Sequence, residues 1–372
     1  MNVALLGFGV VGRGVYDLTL DRSDINIKYV VCLEDVQLPG VTVTRDYQQI
    51  LADETVDTVV EAMGGLHPAW DFVKAAIEAG KNVVTSNKAM ACTFYDELLP
   101  LVQEKKVLFR CTAAVGGGIG WLSELGRVRR CETVLQVGGI MNGTCNYILD
   151  NMTSLGLDYD VALKQAQQLG YAEANPHTDV AGIDTWHKVI LSSNIAFGVS
   201  LDKETVPVAG IANIKACDVA AFKERGYTCK LISTGKRTEG GFSAYVQPTL
   251  CPQTDLEAHI PMNFNLITFE GAAAGRQSLY GQGAGRYPTA YNVVQDLCDL
   301  LQGNGFYAPC TGTVAAKNDG KLRFYVRGAS DAWLESVTCD HWGEGVVTDP
   351  VAVDEIHGWL KNHPDCFLAA IR

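Results

Sequence analysis

The 372-residue sequence contains no run of 18 apolar residues, no cysteine pair at Cys-x-x-Cys spacing and no excess of positive charge. A transmembrane helix, a zinc site of paired cysteines and a thioredoxin-like redox pair are therefore not expected. Lysines and arginines number 30 against 42 aspartates and glutamates, and the formal net charge of −12 argues against binding to nucleic acid or to an anionic membrane. Because the first residues also lack the basic region of a signal peptide, the twelve scattered cysteines predict reduced thiols in a cytoplasmic protein.

Three glycines at G-x-G-x-x-G spacing follow the first apolar segment. Residues 3–6 predict a strand, and the glycines predict a tight turn into a helix. This spacing lets the backbone approach a pyrophosphate, which the N–H groups of the helix start would bind. The pattern predicts a dinucleotide site formed by Gly7, Phe8, Gly9, Val10, Val11 and Gly12.

An acidic pair closes the second predicted strand, residues 27–33. Glu34 lies roughly twenty residues after the last glycine of the motif, where a carboxylate accepts hydrogen bonds from a ribose and repels a 2′-phosphate. No arginine stands at this strand end in the sequence, although Arg45 is near. We therefore expect NAD(H) to be preferred, with NADP(H) as a possible alternative.

Further strands are predicted at 56–60, 82–85 and 107–111, alternating with helices as in a doubly wound parallel sheet. Ligands of such sheets bind beyond the carboxyl ends of the strands, which is where Lys88 is expected. The glycine-rich residues 113–118 do not suit a strand, and their exposed carbonyls could hold a small cation.

Residues 170–188 combine a loop that carries carboxylates with the start of a buried helix. Glu173 and Asp179 lie in the loop, and the apolar run 183–195 predicts the helix. Asp184 and Lys188 are four residues apart and share one helical face. Such a cluster could bind an amino acid's ammonium group and give a proton to a carbonyl, although a solvated loop with a surface ion pair has the same pattern.

The order of predicted elements indicates an α/β protein with an N-terminal Rossmann-type dinucleotide-binding domain and an α+β second domain. Strands near 228–236, 242–250 and 265–270 follow the helices of that second domain. Gly285 and the glycines before it precede a further helix, whose N–H-lined start suits an anion. The predicted domains are 1–128 (dinucleotide binding), 129–285 (catalysis), 286–309 (a helix returning to the first domain) and 310–372 (a tail of unknown role).

Seven segments resemble, in order, those of the homoserine dehydrogenases: the glycine turn and residues 61–65, 80–89, 115–118, 142–147, 170–188 and 283–290. The resemblance implies reversible NAD(P)-dependent interconversion of L-homoserine and L-aspartate 4-semialdehyde, in the biosynthesis of threonine and methionine. It also implies a homodimer or a higher homo-oligomer, with dimerisation through residues 129–285.

The resemblance also implies roles for individual residues. Lys188 would donate the proton, Asp184 would orient it, and Lys88 would serve cofactor and catalysis. The remaining implied positions are Glu173, Asp179, Thr144 and Tyr171 for substrate, Gly285 for cofactor, and the carbonyls of Val115 and Gly117 for a monovalent cation.

Four features depart from the family pattern, one of which is the absence of the second-strand arginine that is linked with NADP. Asn175 replaces an aspartate of the loop, and Thr112 replaces a glutamate that often helps to hold the cation. Residues 310–372 lack the Pro-Gly-Val-type loop of the family's regulatory ACT domain, so no such domain is expected there.

Two other functions fit parts of the sequence. Cys145 lies in a Thr-Cys-Asn turn like that of acylating semialdehyde dehydrogenases, which would need a base such as His177 or His187. A non-enzymatic NAD-sensing regulator is the second alternative, and the lack of a basic or DNA-reading element weighs against it.

Overall fold

Six short strands near the start of the chain form one parallel sheet in the computed structural model, which describes residues 1–305 and 312–372. The strands are β1 Asn2–Leu6, β2 Asn26–Val31, β3 Thr42–Thr44, β4 Thr58–Glu61, β5 Asn82–Thr85 and β6 Phe109–Arg110. Their order, β3-β2-β1-β4-β5-β6, is that of the Rossmann fold, and the crevice for a dinucleotide lies where the order reverses beside β1. The predicted Rossmann-type sheet is confirmed.

Helices cover this sheet and bury the apolar side chains of its strands. They are α1 Val10–Thr19, α2 Tyr47–Ala52, α3 Ala69–Glu78, α4 Lys88–Thr93, α5 Tyr95–Lys105, α6 Trp121–Val128 and, much later in the chain, α12 Arg286–Leu301. Gly14 of α1 faces α12 so closely that a Cβ there would lie 2.8 Å from Cβ of Ala290. Val293 and Leu297 of α12 join the same buried cluster as Val3 of β1.

The described chain divides into two units. We call Met1–Glu132, Asn194–Ser200 and Gly281–Thr313 the first unit, and Thr133–Ser193, Leu201–Tyr280 and Val314–Arg372 the second unit. The first segment of the first unit thus ends at Glu132, four residues after the domain boundary predicted at residue 128. The boundary expected between 309 and 310 lies outside the described residues.

The second unit is built on a larger, mostly antiparallel sheet. Its strands are β7 Val134–Ile140, β9 Tyr227–Thr238, β10 Gly241–Pro252, β11 Phe264–Gly271, β12 Gly275–Gln282, β14 Lys321–Arg327, β15 Thr338–Trp342, β16 Gly345–Thr348, β17 Val351–Ala352 and β18 Phe367–Ile371. The order is β12-β11-β7-β9-β10-β18-β14-β16-β15, with β17 beside β14. Two further short strands are β8 Ser200–Asp202 and β13 Thr313–Ala315.

Helices lie on this second sheet and carry the candidate site. They are α7 Gly143–Leu155, α8 Tyr159–Gln168, α9 His177–Val180, α10 Ile183–Phe197, α11 Ala216–Glu224, α13 Ala332–Val337 and α14 Val353–Lys361. Gly235 of β9 allows α10 to approach, because a Cβ there would lie 2.1 Å from Oγ of Ser193. Among the described residues, no helix has both the length and the apolar character needed to cross a membrane.

The C-terminal residues are an ordered part of the second unit. Strand β14, helix α13, strands β15 and β16, helix α14 and strand β18 follow one another as in a ferredoxin-like βαββαβ fold. Strand β18 pairs in parallel with β10, so this fold extends the sheet. Buried Arg327 of β14 is held 2.6 Å from Asp218 of α11, which ties the segment to the rest of the unit. The sequence alone predicts a strand at 323–327 and a helix at 351–360, which correspond to β14 and α14, but it suggests no fold for the segment.

Candidate active site

The turn after β1 has the geometry of a phosphate-binding loop. Gly7 has a φ of +94°, and a Cβ at Gly12 would lie 2.1 Å from the carbonyl oxygen of Gly7, so the turn closes only with glycine. Gly9 is the N-cap of α1, no side chain caps this helix start, and the space beside its Cα is open. The first N–H groups of α1, beginning with Val10 and Val11, are therefore available to a pyrophosphate beside buried Phe8.

Two arginines reach the acidic end of β2. Arg13 Nη2 lies 2.5 Å from Oε2 of Glu34, and its guanidinium lies 4.8 Å from the ring centre of Phe8. Arg45 Nη2 lies 3.1 Å from Oδ1 of Asp35. The sequence has no arginine at this strand end, but the fold brings two there, one from α1 and one from the residues after β3. Both pairs are largely exposed, so each contributes little stability and can be exchanged for a ligand.

Lys88 lies at the carboxyl end of the parallel sheet. It is the first residue of α4, directly after Asn87, whose side chain caps the helix by accepting a bond from Met90 N at 3.1 Å. The adjoining strand ends in Glu61, a fully buried carboxylate that accepts a 2.5 Å hydrogen bond from Thr85 Oγ1. The ends of β4 and β5 are thus tied together where the parallel sheet is expected to bind its ligand.

The candidate cation ligands lie in a buried loop, and the Gly117 carbonyl among them already has a hydrogen-bond partner. Val115 and Gly117 are both buried, and the Gly117 carbonyl accepts a 2.5 Å hydrogen bond from the side-chain amide of Asn292. Gly285, with φ +120°, is the exposed N-cap of α12. No cluster of three or more His, Cys, Asp or Glu side chains suited to a metal occurs in residues 1–305 and 312–372.

In the second unit, α10 holds a buried ion pair. Lys188 Nζ lies 2.7 Å from Oδ2 of Asp184 and donates a second 2.7 Å hydrogen bond to the carbonyl oxygen of Met141. Lys188 is 7% exposed and Asp184 is 6% exposed. The alternative of a surface ion pair is therefore wrong, since both groups are almost fully removed from water.

Asn142 joins this pair to the preceding loop. Its amide donates to Oδ2 of Asp184 at 2.8 Å and to Oδ1 of Asp179 at 2.7 Å. Its own oxygen accepts a 2.8 Å bond from Cys145 N and so caps α7. One buried side chain therefore orients both carboxylates and the first turn of the helix.

The other predicted substrate residues differ in their placement. Thr144 Oγ1 donates a 2.5 Å hydrogen bond to the carbonyl oxygen of Tyr171, so its hydroxyl can accept from a ligand but has no donor left. The Tyr171 ring lies 5.1 Å from that of Tyr147. Glu173 is exposed, and its carboxylate makes no hydrogen bond or ion pair with the residues that the structure describes. The described contacts thus join Asp179 to the Lys188 cluster but leave Glu173 outside it.

Cys145 is in an environment that disfavours a nucleophile. Its side chain is fully buried, and its Sγ donates to the carbonyl oxygen of Asp179 at 3.2 Å. Burial, together with the nearby Asp179 and Asp184 charges, raises the pKa of the Cys145 thiol well above its usual value. The reactive form of cysteine is the thiolate, which this site suppresses. His177 is exposed and His187 packs on Trp186, and neither is bonded to Sγ in the described structure.

Sequence reasoning missed two groups of the cluster. No sequence pattern points to the Met141 carbonyl, because every residue has a backbone carbonyl. Asn142 stands directly before the start of α7, and asparagine is a strong N-cap residue. That signal predicts the cap, but the two contacts with the carboxylates cross 37 and 42 residues and depend on the fold.

Comparisons with known proteins agree with this geometry. Two family models match: one described as homoserine dehydrogenase, NAD binding domain, over residues 7–111, and one described as homoserine dehydrogenase over residues 121–298. The homoserine dehydrogenase of Bacillus subtilis is 34% identical over 83% of this chain and 76% of its own length. The chain belongs to the homoserine dehydrogenase family.

Other relatives support the same assignment. The homoserine dehydrogenase of Corynebacterium glutamicum is 37% identical over 85% of this chain and 75% of its own length. The solved structure of a homoserine dehydrogenase from Thiobacillus denitrificans covers 100% of this chain and 98% of its own, with a TM-score of 0.86 and 28% identity. The predicted family and enzyme class are confirmed: the protein is an oxidoreductase with a nicotinamide dinucleotide-binding domain. The acylating alternative is not favoured.

Proposed function

We propose that this homoserine dehydrogenase moves a hydride between NAD(P)H and L-aspartate 4-semialdehyde, with Lys188 as the proton donor. The observation that carries the proposal is the buried ammonium group between Asp184 and the Met141 carbonyl. An ammonium has three N–H donors, and these two partners are its hydrogen-bond partners among the described residues. The third N–H is left for the substrate oxygen, so Lys188 can protonate a nascent alkoxide or, in the reverse direction, take up the hydroxyl proton.

The polar groups around Asn142 suit the amino-acid end of the substrate. The Asp179 carboxylate lies beside the cluster, and the Thr144 hydroxyl can accept a hydrogen bond from an ammonium group. We assign Asp179, Thr144 and the neighbouring Tyr171 to this end, with Glu173 approaching from the exposed loop. The role of Asp184 is to orient Lys188, because its contacts with Lys188 and with Asn142 are internal.

The first unit would hold the dinucleotide. Residues 7–12 and the N-terminus of α1 fit its pyrophosphate, Glu34 its ribose, and Lys88 and Gly285 lie at helix starts where the family resemblance places the cofactor. When bound, the nicotinamide supplies or accepts the hydride. Because Glu34 places a carboxylate where a 2′-phosphate would lie, we propose that NAD(H) is preferred over NADP(H).

Replacement of Cys145 is expected to leave most of the activity. In Cys145→Ser a hydroxyl replaces the thiol as donor to the Asp179 carbonyl, and hydride transfer to an aldehyde needs no thioester. The measurement is homoserine oxidation followed by NADH absorbance, with and without phosphate or arsenate. Loss of a true nucleophile costs on the order of 10⁶ in kcat. A collapse of that size in a folded variant, or a requirement for phosphate, would revive the acylating mechanism.

The second unit also supports the predicted homodimer. Helices α7, α10 and α11 lie against its sheet, while β7, β9 and β11 line an open depression of about 370 Å³. Thr234, Lys236, Thr268 and Glu270 on this surface are half-buried or exposed. A sheet normally buries such a surface against another layer, and a second copy of residues 129–285 would supply it.

Light scattering is therefore expected to give the mass of two chains at micromolar concentration. Thr268→Arg, which puts a charge on this surface, should shift the mass towards one chain. Ser154→Arg on the exposed end of α7 is the matched control and should stay dimeric. A monomeric wild-type protein, or a dimer unaffected by Thr268→Arg, contradicts this interface.

A further inference from the structure

Two backbone carbonyls of the glycine-rich loop converge on one side-chain amide. Asn292 Nδ2 donates to the Gly117 carbonyl at 2.5 Å and to the Ile119 carbonyl at 3.1 Å. Asn292 is only 2% exposed, and all three residues belong to the first unit. An amide NH₂ has two N–H donors, so this group is fully used by the two oxygens.

The loop itself is held in place by close backbone contacts. Gly117 has a φ of +52°, and a Cβ there would lie 2.6 Å from the carbonyl of Gly283. The N–H of Gly118 donates to the carbonyl of Gln282 at 3.1 Å. The two carbonyls that meet Asn292 are therefore part of a tightly packed turn, which cannot open easily to admit a different ligand.

These contacts do not fit the monovalent cation that the family resemblance implies. Hard cations need several oxygen ligands whose lone pairs point at them. Here the hydrogens of the Asn292 amide, which carry partial positive charge, point at the carbonyl oxygen of Gly117, one of the two implied ligands, and at that of Ile119 beside it. A cation bound to these two oxygens would lie against the positively polarised amide hydrogens. The oxygens can therefore bind the amide or the cation, but not both.

The nearest carboxylate on the same helix is also committed elsewhere. Asp296 lies one turn after Asn292, accepts bonds from Thr112 Oγ1 at 2.6 Å and from Thr112 N at 2.8 Å, and pairs with Arg110 Nε at 2.8 Å. Its negative charge is thus balanced by a buried guanidinium. Thr112, at the position where a glutamate often assists the cation, is occupied by the same network.

We propose that the Asn292 amide takes the place of an alkali cation in this loop, so that the protein needs neither Na⁺ nor K⁺. The amide links the Gly117 and Ile119 carbonyls as a shared cation would, but it does so permanently and without a net charge. Asn292 is a positioning residue: it fixes the loop and contacts no reacting atom.

The test compares chloride salts of Na⁺, K⁺ and tetramethylammonium at one ionic strength, which keeps charge screening equal. Wild-type Tm and kcat/KM should be the same in all three salts. In Asn292→Asp a carboxylate faces the Gly117 and Ile119 carbonyls. These oxygens repel one another unless a cation binds between them. Its Tm should be lower by several degrees in tetramethylammonium and recover with Na⁺ or K⁺, and kcat/KM should follow.

Asn151→Asp is the matched control. Asn151 is also a buried asparagine whose amide donates to a carbonyl, that of Tyr147 at 2.8 Å, but within its own helix and in the second unit. Its Tm should change by the same amount in every salt. Equal rescue of this control by Na⁺ or K⁺ would show a general salt effect and would overturn the proposal.

Two further outcomes overturn the inference. One is a wild-type protein that loses Tm or activity in tetramethylammonium, because a bound cation would then be required. The other is an Asn292→Asp protein whose Tm is the same in all three salts. If the Asn292→Asp protein folds in none of the three salts, the Asn292→Ala protein is tested instead. Its Gly117 and Ile119 carbonyls have lost the amide, so its Tm should be higher in Na⁺ or K⁺ than in tetramethylammonium. An equal Tm in all three salts contradicts the proposal.

Discussion

Lys188→Ala is expected to lower kcat for homoserine oxidation by about 10² to 10⁴, the contribution of a positioned proton donor. NAD affinity, measured by fluorescence titration, should hardly change, because the lysine acts at the substrate oxygen. Addition of a small primary amine such as ethylamine should restore part of the rate by entering the vacated space. A Glu173→Ala protein should instead show mainly a higher KM for homoserine, since that residue is assigned to binding.

The control for Lys188→Ala is a second buried lysine of the same unit. Lys230 Nζ donates to the Ile260 carbonyl at 2.7 Å and to Asn146 Oδ1 at 2.9 Å, and burial lowers its pKa. Lys230→Met is expected to change Tm, to keep kcat in the folded fraction and to show no response to amines. Near wild-type kcat in folded Lys188→Ala would mean that another group carries the proton.

Lys188→Ala also leaves Asp184 as a buried carboxylate without its ammonium partner. Breaking such a pair costs about 3–5 kcal/mol in other proteins, so the variant should be assayed below its own Tm. Lys188→Arg keeps a positive charge beside Asp184 and should therefore be more stable than Lys188→Ala. Its kcat should still be low, because a guanidinium does not release a proton at the pH of the assay.

Glu34→Ala is expected to shift the ratio of kcat/KM for NADP to that for NAD by roughly 10- to 100-fold towards NADP. The estimate corresponds to one hydrogen bond to a charged group, about 1.5–3 kcal/mol. Two effects act in the same direction: the carboxylate that repels a 2′-phosphate is lost, and Arg13 loses its 2.5 Å partner. Arg13 should stay in place because it packs over the Phe8 ring.

The double variant Arg13→Ala/Glu34→Ala separates these two effects, since any gain that depends on the freed guanidinium should disappear. Asp24→Asn is the matched control, because Asp24 forms a similar surface pair with Arg22 at 2.7 Å away from the acidic strand end. It should leave the cofactor ratio unchanged. The assignment of Glu34 is wrong if wild-type kcat/KM is equal or higher with NADP, or if Glu34→Ala leaves the ratio as it was.

The parts that could be predicted from sequence are those set by local spacing. A G-x-G-x-x-G turn after an apolar strand has few alternatives, because only glycine avoids the 2.1 Å approach between a Cβ at position 12 and the Gly7 carbonyl. Likewise, a spacing of four residues places Lys188 beside Asp184 on any α-helix. The alternation of strands and helices then suffices for a parallel sheet.

Contacts between distant residues were not accessible in this way. The two arginines at the end of β2, the Asn142 bridge between two carboxylates and the Asn292 amide in the glycine-rich loop all depend on chain segments brought together by folding. The ferredoxin-like fold of the C-terminal residues was missed for a related reason. Its strands have four to seven residues, and such short apolar runs carry little periodicity.

The sequence by itself determined the family, from seven segments in order along the chain. It also determined the nucleotide-binding turn and the lysine–aspartate pair, because each of these rests on residues within about one helical turn or one loop. Only the tertiary structure decided whether those groups are buried from water, which residues orient them and which of their atoms remain available to a ligand. Burial and hydrogen-bond partners arise from packing across tens to hundreds of residues. The 175 residues that separate Gly117 from Asn292 are the clearest case: the loop indicated a place for a cation, and a helix from far along the chain fills that place with an amide.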